Sequence, residues 1–217
     1  MRPEFYADEC RRYATLMHNV SRDVELYACG SDGMKYDWTH GTVPNLDDKT
    51  TGFAMHYYCG RAGDPLTFTN EEWNAMMSQA NRMEEIILRN WSIICAHGRA
   101  HNLKLIVDEW GCWHPDGSGP SKGYNLFEQQ STMRDAVVSA LTLNIFNNHC
   151  DKVRMANVAQ LCNNLHALFL AGGENCIVTP TYHVYDMYKG HQGAEAIETV
   201  VTNNEELTSS VSVSASV

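Results

Sequence analysis

The stretch from Leu105 to Trp113 reads LIVDEWGCW. Three apolar residues, Leu105, Ile106 and Val107, run into Asp108 and Glu109, and Trp110, Gly111 and Trp113 follow at once. A short buried strand ending in a carboxylate beside aromatic rings is how a (β/α) barrel presents a catalytic acid to a sugar. Reactive groups of such barrels sit at strand C-termini, and aromatic faces suit the apolar faces of sugar rings. The same residues also suit an ordinary strand-to-loop junction with a solvated Asp-Glu pair. If the strand end is catalytic, Glu109 is the candidate. Asp108 does not serve as its partner, because adjacent strand residues point to opposite faces. Glycoside hydrolysis uses two carboxylates across the scissile bond. Other acids, such as Asp32, Asp37, Asp64 and Asp116, lie in polar loops where a solvated surface is the default. The chain thus offers one well-placed carboxylate and no evident second.

His56, Tyr57 and Tyr58 end another apolar run. If His56 and Tyr58 point inward, both can hydrogen-bond a carboxylate and hold it ionised; the bland alternative is a satisfied polar cluster at a strand end. Asn157 and Gln160 lie on a further strand candidate, where polar side chains need partners, either a sugar hydroxyl or a neighbouring backbone group. His97 and His101 are four apart with Cys95 nearby, but Gly98 lies between them at a helix end, so no metal site is expected. The sequons Asn19-Val20-Ser21 and Asn90-Trp91-Ser92 are short enough to arise by chance. The glycines form neither a P-loop nor a dinucleotide fingerprint, and GSGPSKG has the wrong spacing. No Gly-x-Ser-x-Gly elbow is present.

The elements that must position these groups follow from periodicity. Pro3 suits a first helical turn, and Tyr6, Ala7, Cys10, Tyr13, Ala14 and Met17 follow at helical spacing. Val24–Cys29 reads as a strand, then a polar loop, SDGMKYDWTHGTVPNLDDKTT, then a second strand at Phe53–Cys59. Thr69 and Glu72 form a capping box that opens a long helix whose Trp73, Met76, Met77 and Met83 make a core stripe. Gly98 stops that helix. Leu103–Glu109 is the third strand, and a Gly/Ser/Pro-rich loop covers His114–Tyr124. A helix from about Phe127 to Phe146 and a fourth strand, Val153–Leu161, come next. TPTYHVYDMYKGHQ ends helical, and from Ile197 the chain turns Ser/Thr/Val-rich. Strand and helix alternate as in a parallel sheet with crossovers. About four βα units are present, where a closed barrel needs eight.

Composition bounds the rest. At 217 residues the chain supports one sizeable domain. A formal charge of −10 argues against nucleic acid, and no stretch is apolar and long enough to span a bilayer. The acidic, amphipathic start is unlike a signal peptide. The eight scattered cysteines read as buried free thiols in a reducing compartment, which points to the cytoplasm. No cofactor is expected.

Several stretches together resemble the α-L-arabinofuranosidases of glycoside hydrolase family 51: MRPEFYADECRRYAT, the strand ending HYY, LIVDEWGCW, STMRDAVVSALTLNIFNNHCDKVRMANVAQL and TPTYHVYDMYKGHQ, in the family's order from Met1 to about Gln192. The resemblance implies a (β/α)8 barrel with a β-sandwich beside it, and a retaining double displacement that releases terminal arabinofuranosyl groups from arabinoxylan, arabinan or oligosaccharides. It makes Glu109 the nucleophile at the end of the seventh strand. His56 and Tyr58 match sixth-strand residues that contact it, Trp113 an aromatic bordering the sugar, and Gln160 an eighth-strand residue that hydrogen-bonds the sugar. The family's acid/base glutamate belongs to an Asn-Glu pair at the end of the fourth strand, shortly before the stretch matching MRPEFYADE. The expectation is therefore an α/β chain forming the C-terminal half of the TIM barrel, strands five to eight, over residues 1–196. Residues 197–217 would be a linker and the first strand of a truncated sandwich. Such a piece is expected to be weak or inactive alone, and to pair as a homo-oligomer or with a complementing barrel half. A catalytically silent sugar-binding or assembly module is the other class in play, and an endoglucanase or β-xylosidase on the same scaffold is a lesser alternative.

Overall fold

The computed structural model describes residues 1–60, 63–115, 118–119, 127–202 and 211–217. Asp116, most of the expected loop at His114–Tyr124 and part of the Ser/Thr/Val-rich tail lie outside the described residues. One four-stranded sheet has the order β1-β2-β3-β4, with β1 at Leu26–Ala28, β2 at Thr50–Cys59, β3 at Lys104–Cys112 and β4 at Val153–Val158. β1 runs parallel to β2. Helices α1 (Pro3–Val20), α2 (Tyr36–Thr42), α3 (Asn70–Ala96) and α4 (Met133–Asn148) alternate with the strands. Sheet order thus equals chain order, as helical crossovers of one hand produce. The alternation expected from the sequence is present, with four strands.

The chain divides into two compact units. The first holds Met1–Tyr57, Glu84–Glu109 and Asp151–Asn157. Its core is Phe53 and Met55 of β2, Leu105, Ile106 and Val107 of β3, and Ile86, Ile87 and Ile94 of α3, all essentially inaccessible. α3 ends as the sequence predicts. Gly98 adopts φ +69°, its N–H reaches the Cys95 carbonyl, and the Arg99 N–H reaches the Ile94 carbonyl at 2.9 Å. These are the two bonds of a Schellman stop, which favours glycine at the left-handed position. The segment expected as a polar loop contains α2 and a 3-10 turn at Val43–Asn45. Tertiary contacts override its weak helix propensity. Trp38 packs on Tyr6 at 5.3 Å between ring centroids and donates its indole N–H to the Cys29 carbonyl, while Thr39 is buried against Asn90.

The second unit holds Tyr58–Met83, Trp110–Cys150 and Val158–Val217. The start of α3 carries the predicted box: the Thr69 N–H donates to Glu72 Oε2 at 2.8 Å, and the Glu72 N–H donates to Thr69 Oγ1 at 3.2 Å. α4 starts at Met133, not near Phe127, because Thr132 and Asp135 form a second capping box. A hairpin unread in the sequence, β5 (Phe169–Gly172) with β6 (Asn175–Val178), turns through Gly173 at φ +58°. Thr179 caps α5 (Pro180–Tyr188), with proline in the first turn. β7 (Ala196–Ile197) pairs antiparallel with β8 (Ala215–Ser216). Residues 211–217 are held on α4 by the side-chain amides of Asn144 and Asn148, which donate to the Ser212 and Val213 carbonyls at 3.0 and 2.9 Å.

The cysteines are free, but only Cys59 and Cys112 are buried; Cys29, Cys95, Cys150, Cys162 and Cys176 are exposed and Cys10 is intermediate. The expectation of buried thiols therefore fails for most of them. Cys150, Cys162 and Cys176 fall in turns or on the β5–β6 hairpin, at or beyond the ends of the apolar segments that suggested burial. No helix among the described residues is long and apolar enough to cross a membrane.

Candidate active site

In the first unit, β2 and β3 deliver His56, Asp108 and Glu109. β3 is buried at Leu105–Val107 and again at Trp110–Cys112, with Asp108 half-buried and Glu109 exposed between them. The strand therefore runs three residues past Glu109, where the sequence predicts its end. An exposed carboxylate within an otherwise apolar strand stays reachable while its backbone is fixed by the sheet. His56 Nδ1 lies 3.7 Å from Asp108 Oδ1, beyond direct hydrogen-bond length. Burial pushes the Asp108 carboxyl above its ordinary value, and the facing imidazole opposes that rise. The structure therefore sets His56 beside Asp108, the acid that the strand-alternation argument turned away from the site. The His56 carbonyl accepts the Gly33 N–H at 2.7 Å, which ties the end of β2 to the loop after β1.

In the second unit, Tyr58 and Trp113 come together edge to face at 5.1 Å, and Trp113 meets Phe127 at 5.7 Å. Tyr58 and Trp113 are both half-buried, so a rim of aromatic surface remains open. Gln160 is exposed and lies past the end of β4, which stops at Val158, not within a strand reaching Leu161. Its side-chain oxygen accepts from Asn164 Nδ2 at 3.3 Å. Asn157 is exposed on β4.

Sequence reasoning missed a buried polar network in this second unit. Asp135 accepts at Oδ2 from the Thr132 N–H and hydroxyl, at 2.8 and 2.9 Å. Its Oδ1 meets His114 Nε2 at 3.0 Å, with both side chains fully buried. Burial alone would raise the Asp135 carboxyl, but the His114 hydrogen bond leads the interactions that bring it down to about 2. His166 is also fully buried: Nδ1 accepts the Cys112 N–H at 3.0 Å, and Nε2 faces the hydroxyls of Thr181 at 2.9 Å and Ser139 at 3.1 Å. Burial pushes the His166 imidazole below its ordinary value, against the pull of Asp135. The imidazole is therefore neutral at pH 7, with its proton on Nε2. This histidine also dictates a glycine: Gly111 has φ +149°, and a Cβ there would sit 2.6 Å from His166 Cβ. The S/T-x-x-D spacing of Thr132 and Asp135 was the available signal.

Cys112, Asp135 and His166 place one ligand-type atom each within 4.8 Å of one another. Their electron pairs are already used. Both Asp135 oxygens accept hydrogen bonds and His166 Nδ1 accepts a backbone N–H, while burial drives the Cys112 thiol well above its ordinary value and keeps it protonated. This is the donor set of a structural network, not of an open coordination site. Asn90 of the second sequon is 2% exposed and bonds the carbonyls of Gly33 and Ile86, so it is a core residue.

A sheet whose strands alternate with helices defines the class as α/β. Comparison with known proteins narrows that class. The family model described as the alpha-L-arabinofuranosidase C-terminal domain matches residues 108–214. An intracellular exo-alpha-L-arabinofuranosidase of Bacteroides ovatus is 33% identical over 200 residues, which is 89% of this chain and 38% of that protein. An intracellular exo-alpha-(1->5)-L-arabinofuranosidase of Streptomyces lividans is 28% identical over 177 residues, 74% of this chain and 25% of that protein. The crystal structure of a family 51 arabinofuranosidase from Xanthomonas axonopodis pv. citri superposes with a TM-score of 0.82 at 33% identity, over 93% of this chain and 44% of that one. The chain belongs to the α-L-arabinofuranosidases of glycoside hydrolase family 51. It spans well under half the length of the relatives it matches.

Proposed function

We propose that this chain carries the nucleophile-bearing part of a retaining exo-acting α-L-arabinofuranosidase, with Glu109 as the nucleophile. The observation that carries the reading is an exposed glutamate set within an otherwise buried strand, directly before a buried tryptophan, in a chain 33% identical to an intracellular exo-alpha-L-arabinofuranosidase. In this reading Glu109 attacks the anomeric carbon of a terminal arabinofuranosyl group. His56 and Tyr58 keep the acidic strand end polar and oriented, Trp113 borders the sugar, and Gln160 hydrogen-bonds a hydroxyl. The substrate is an arabinose-containing oligo- or polysaccharide, handled inside the cell, as the relatives' names suggest. The fold corresponds to barrel strands five to eight over residues 1–196. Residues 197–217 are then a linker and the first strand of a sandwich.

In this reading the chain does not itself supply the general acid, the Asn-Glu pair that the family resemblance leads one to expect at the end of the fourth strand. A nucleophile without an acid must expel an alkoxide unaided, and a positioned acid contributes roughly 10²- to 10⁴-fold. Arabinose release from arabinoxylan by the purified chain is therefore expected to be feeble. An aryl arabinofuranoside, whose leaving group needs little protonation, should show residual turnover that Glu109→Gln abolishes, while a version extended upstream should act on both substrates. Vigorous hydrolysis of arabinoxylan by the chain alone, or undiminished aryl cleavage by Glu109→Gln, would refute the assignment.

A further inference from the structure

β3 ends at Cys112, and the next three residues leave the sheet. On one side the backbone of this exit is still tied to β2, through the Trp113 N–H and the Cys59 carbonyl at 3.0 Å. On the other side β4 has dropped away, the last bond across being the Ala159 N–H to the Trp110 carbonyl. Side chains replace the missing strand there. His166 Nδ1 accepts the Cys112 N–H. Gln129 does the rest with a single amide: its Nε2 donates to the Cys112 carbonyl at 3.0 Å, and its Oε1 accepts the His114 N–H at 3.0 Å. These are the two groups that flank Trp113, and they match the pair a neighbouring strand residue would satisfy. Gln129 is 4% exposed, so water does not compete for either bond. His114 is anchored again through its ring to Asp135.

We infer that Gln129 is a positioning residue for Trp113: its amide brackets the Trp113 peptide units and thereby fixes where the indole meets Tyr58, Phe127 and a bound arabinofuranosyl ring. The inference rests on the assignment of Trp113 to the sugar-binding rim. Nothing in the bracket touches the sugar itself, so its loss should weaken binding by displacing the ring. Alternation explains why a side chain carries this task. The exit must let Gly111 pass His166 in a conformation closed to other residues, which ends regular pairing one residue before the tryptophan.

The test is an arabinose titration of the 217-residue chain followed by the indole N–H resonances of its five tryptophans. Trp113→Phe assigns the Trp113 signal. In the unaltered chain arabinose should shift that signal, and Trp113→Ala should weaken binding. Gln129→Met, which keeps the length and removes both bonds, should move the Trp113 resonance before any sugar is added and weaken binding roughly tenfold. The signals of Trp38, Trp73, Trp91 and Trp110 should stay in place and report an intact fold. Gln129→Glu, which keeps the acceptor for His114 and loses the donor to Cys112, should fall between the two and covers the case where Gln129→Met does not fold. Unchanged Trp113 position and affinity in both Gln129 variants, with Trp113→Ala still impaired, would overturn the inference and leave the site assignment standing. Unimpaired binding by Trp113→Ala, or no response of the unaltered chain to arabinose, would instead strike at the site assignment and take the inference with it.

Discussion

Asp135 and His166 are buried ionisable groups whose effects on stability share one sign. The Asp135 carboxyl lies at about 2 in the fold against an ordinary 3.8, so the unfolded chain binds its proton first as pH falls. That stabilisation is present above pH 4 and is lost between about pH 4 and 2; it amounts to about 2 kcal/mol. His166 is pushed below its ordinary 6.5, so the unfolded chain also takes up its proton first, and stability begins to fall as pH drops below 6.5. Thermal melts from pH 7 to pH 2.5 should show a decline that starts near pH 6.5 and steepens below pH 4. Asp135→Asn should melt lower at pH 7 and lose most of the steep acid limb; a limb identical to that of the unaltered chain would remove Asp135 from this role. The strands that carry Glu109 and His56 were legible in the sequence because each contains an apolar run, though both extend past the point where the run stops. The Asp135 network was not, because its members come from β3's exit, the α4 cap, α4, the segment before β5 and α5, and only the fold assembles them.

At the scale of elements, both capping boxes have the same spacing, yet only the one at Thr69 and Glu72 was read in advance. It precedes a helix whose stripe begins at once with Trp73. The box at Thr132 and Asp135 was obscured because Glu128, Gln129 and Gln130 are good helix formers in a stretch that the backbone does not make helical; Gln129 uses that stretch to bracket β3's exit. α2 was missed because its contacts lie far away in sequence, on Tyr6, Cys29 and Asn90. β2 and β3 were legible because buried strands read as apolar runs. The two boxes also differ in consequence. Thr69 caps in the open, so Thr69→Ala should cost about 1 kcal/mol in a urea melt. Thr132 donates to the buried Asp135, so Thr132→Ala should cost more, by leaving that carboxylate short of a donor. Equal losses would mean the buried hydroxyl bond is energetically silent.

At the scale of the whole molecule, the sheet has β1 and β4 as its outer strands, and unpaired strand edges recruit other chains. α1 adds apolar surface. Phe5, Tyr13, Met17, Leu16 at 62% and Val20 at 91% exposure lie on a helix that buries only Ala7 and Ala14. Leu16, Met17 and Val20 line a shallow depression together with Ser21 and Val24. A contiguous apolar patch of this kind is unusual on a monomer and accords with the proposal that the chain is part of a larger barrel. Net charge opposes association, since a formal charge of −10 makes copies repel at long range. The two effects separate with salt. The Debye length falls from about 10 Å at 0.1 M to about 3 Å at 1 M, which removes the repulsion and leaves apolar burial intact. Sedimentation velocity should therefore find the isolated chain as dimers or larger species, increasingly so from low to high salt. Val20→Glu together with Leu16→Glu should return it toward monomer. A compact monomer at all salt concentrations would show that neither the outer strands nor α1 seeks a partner, and that this chain is self-sufficient.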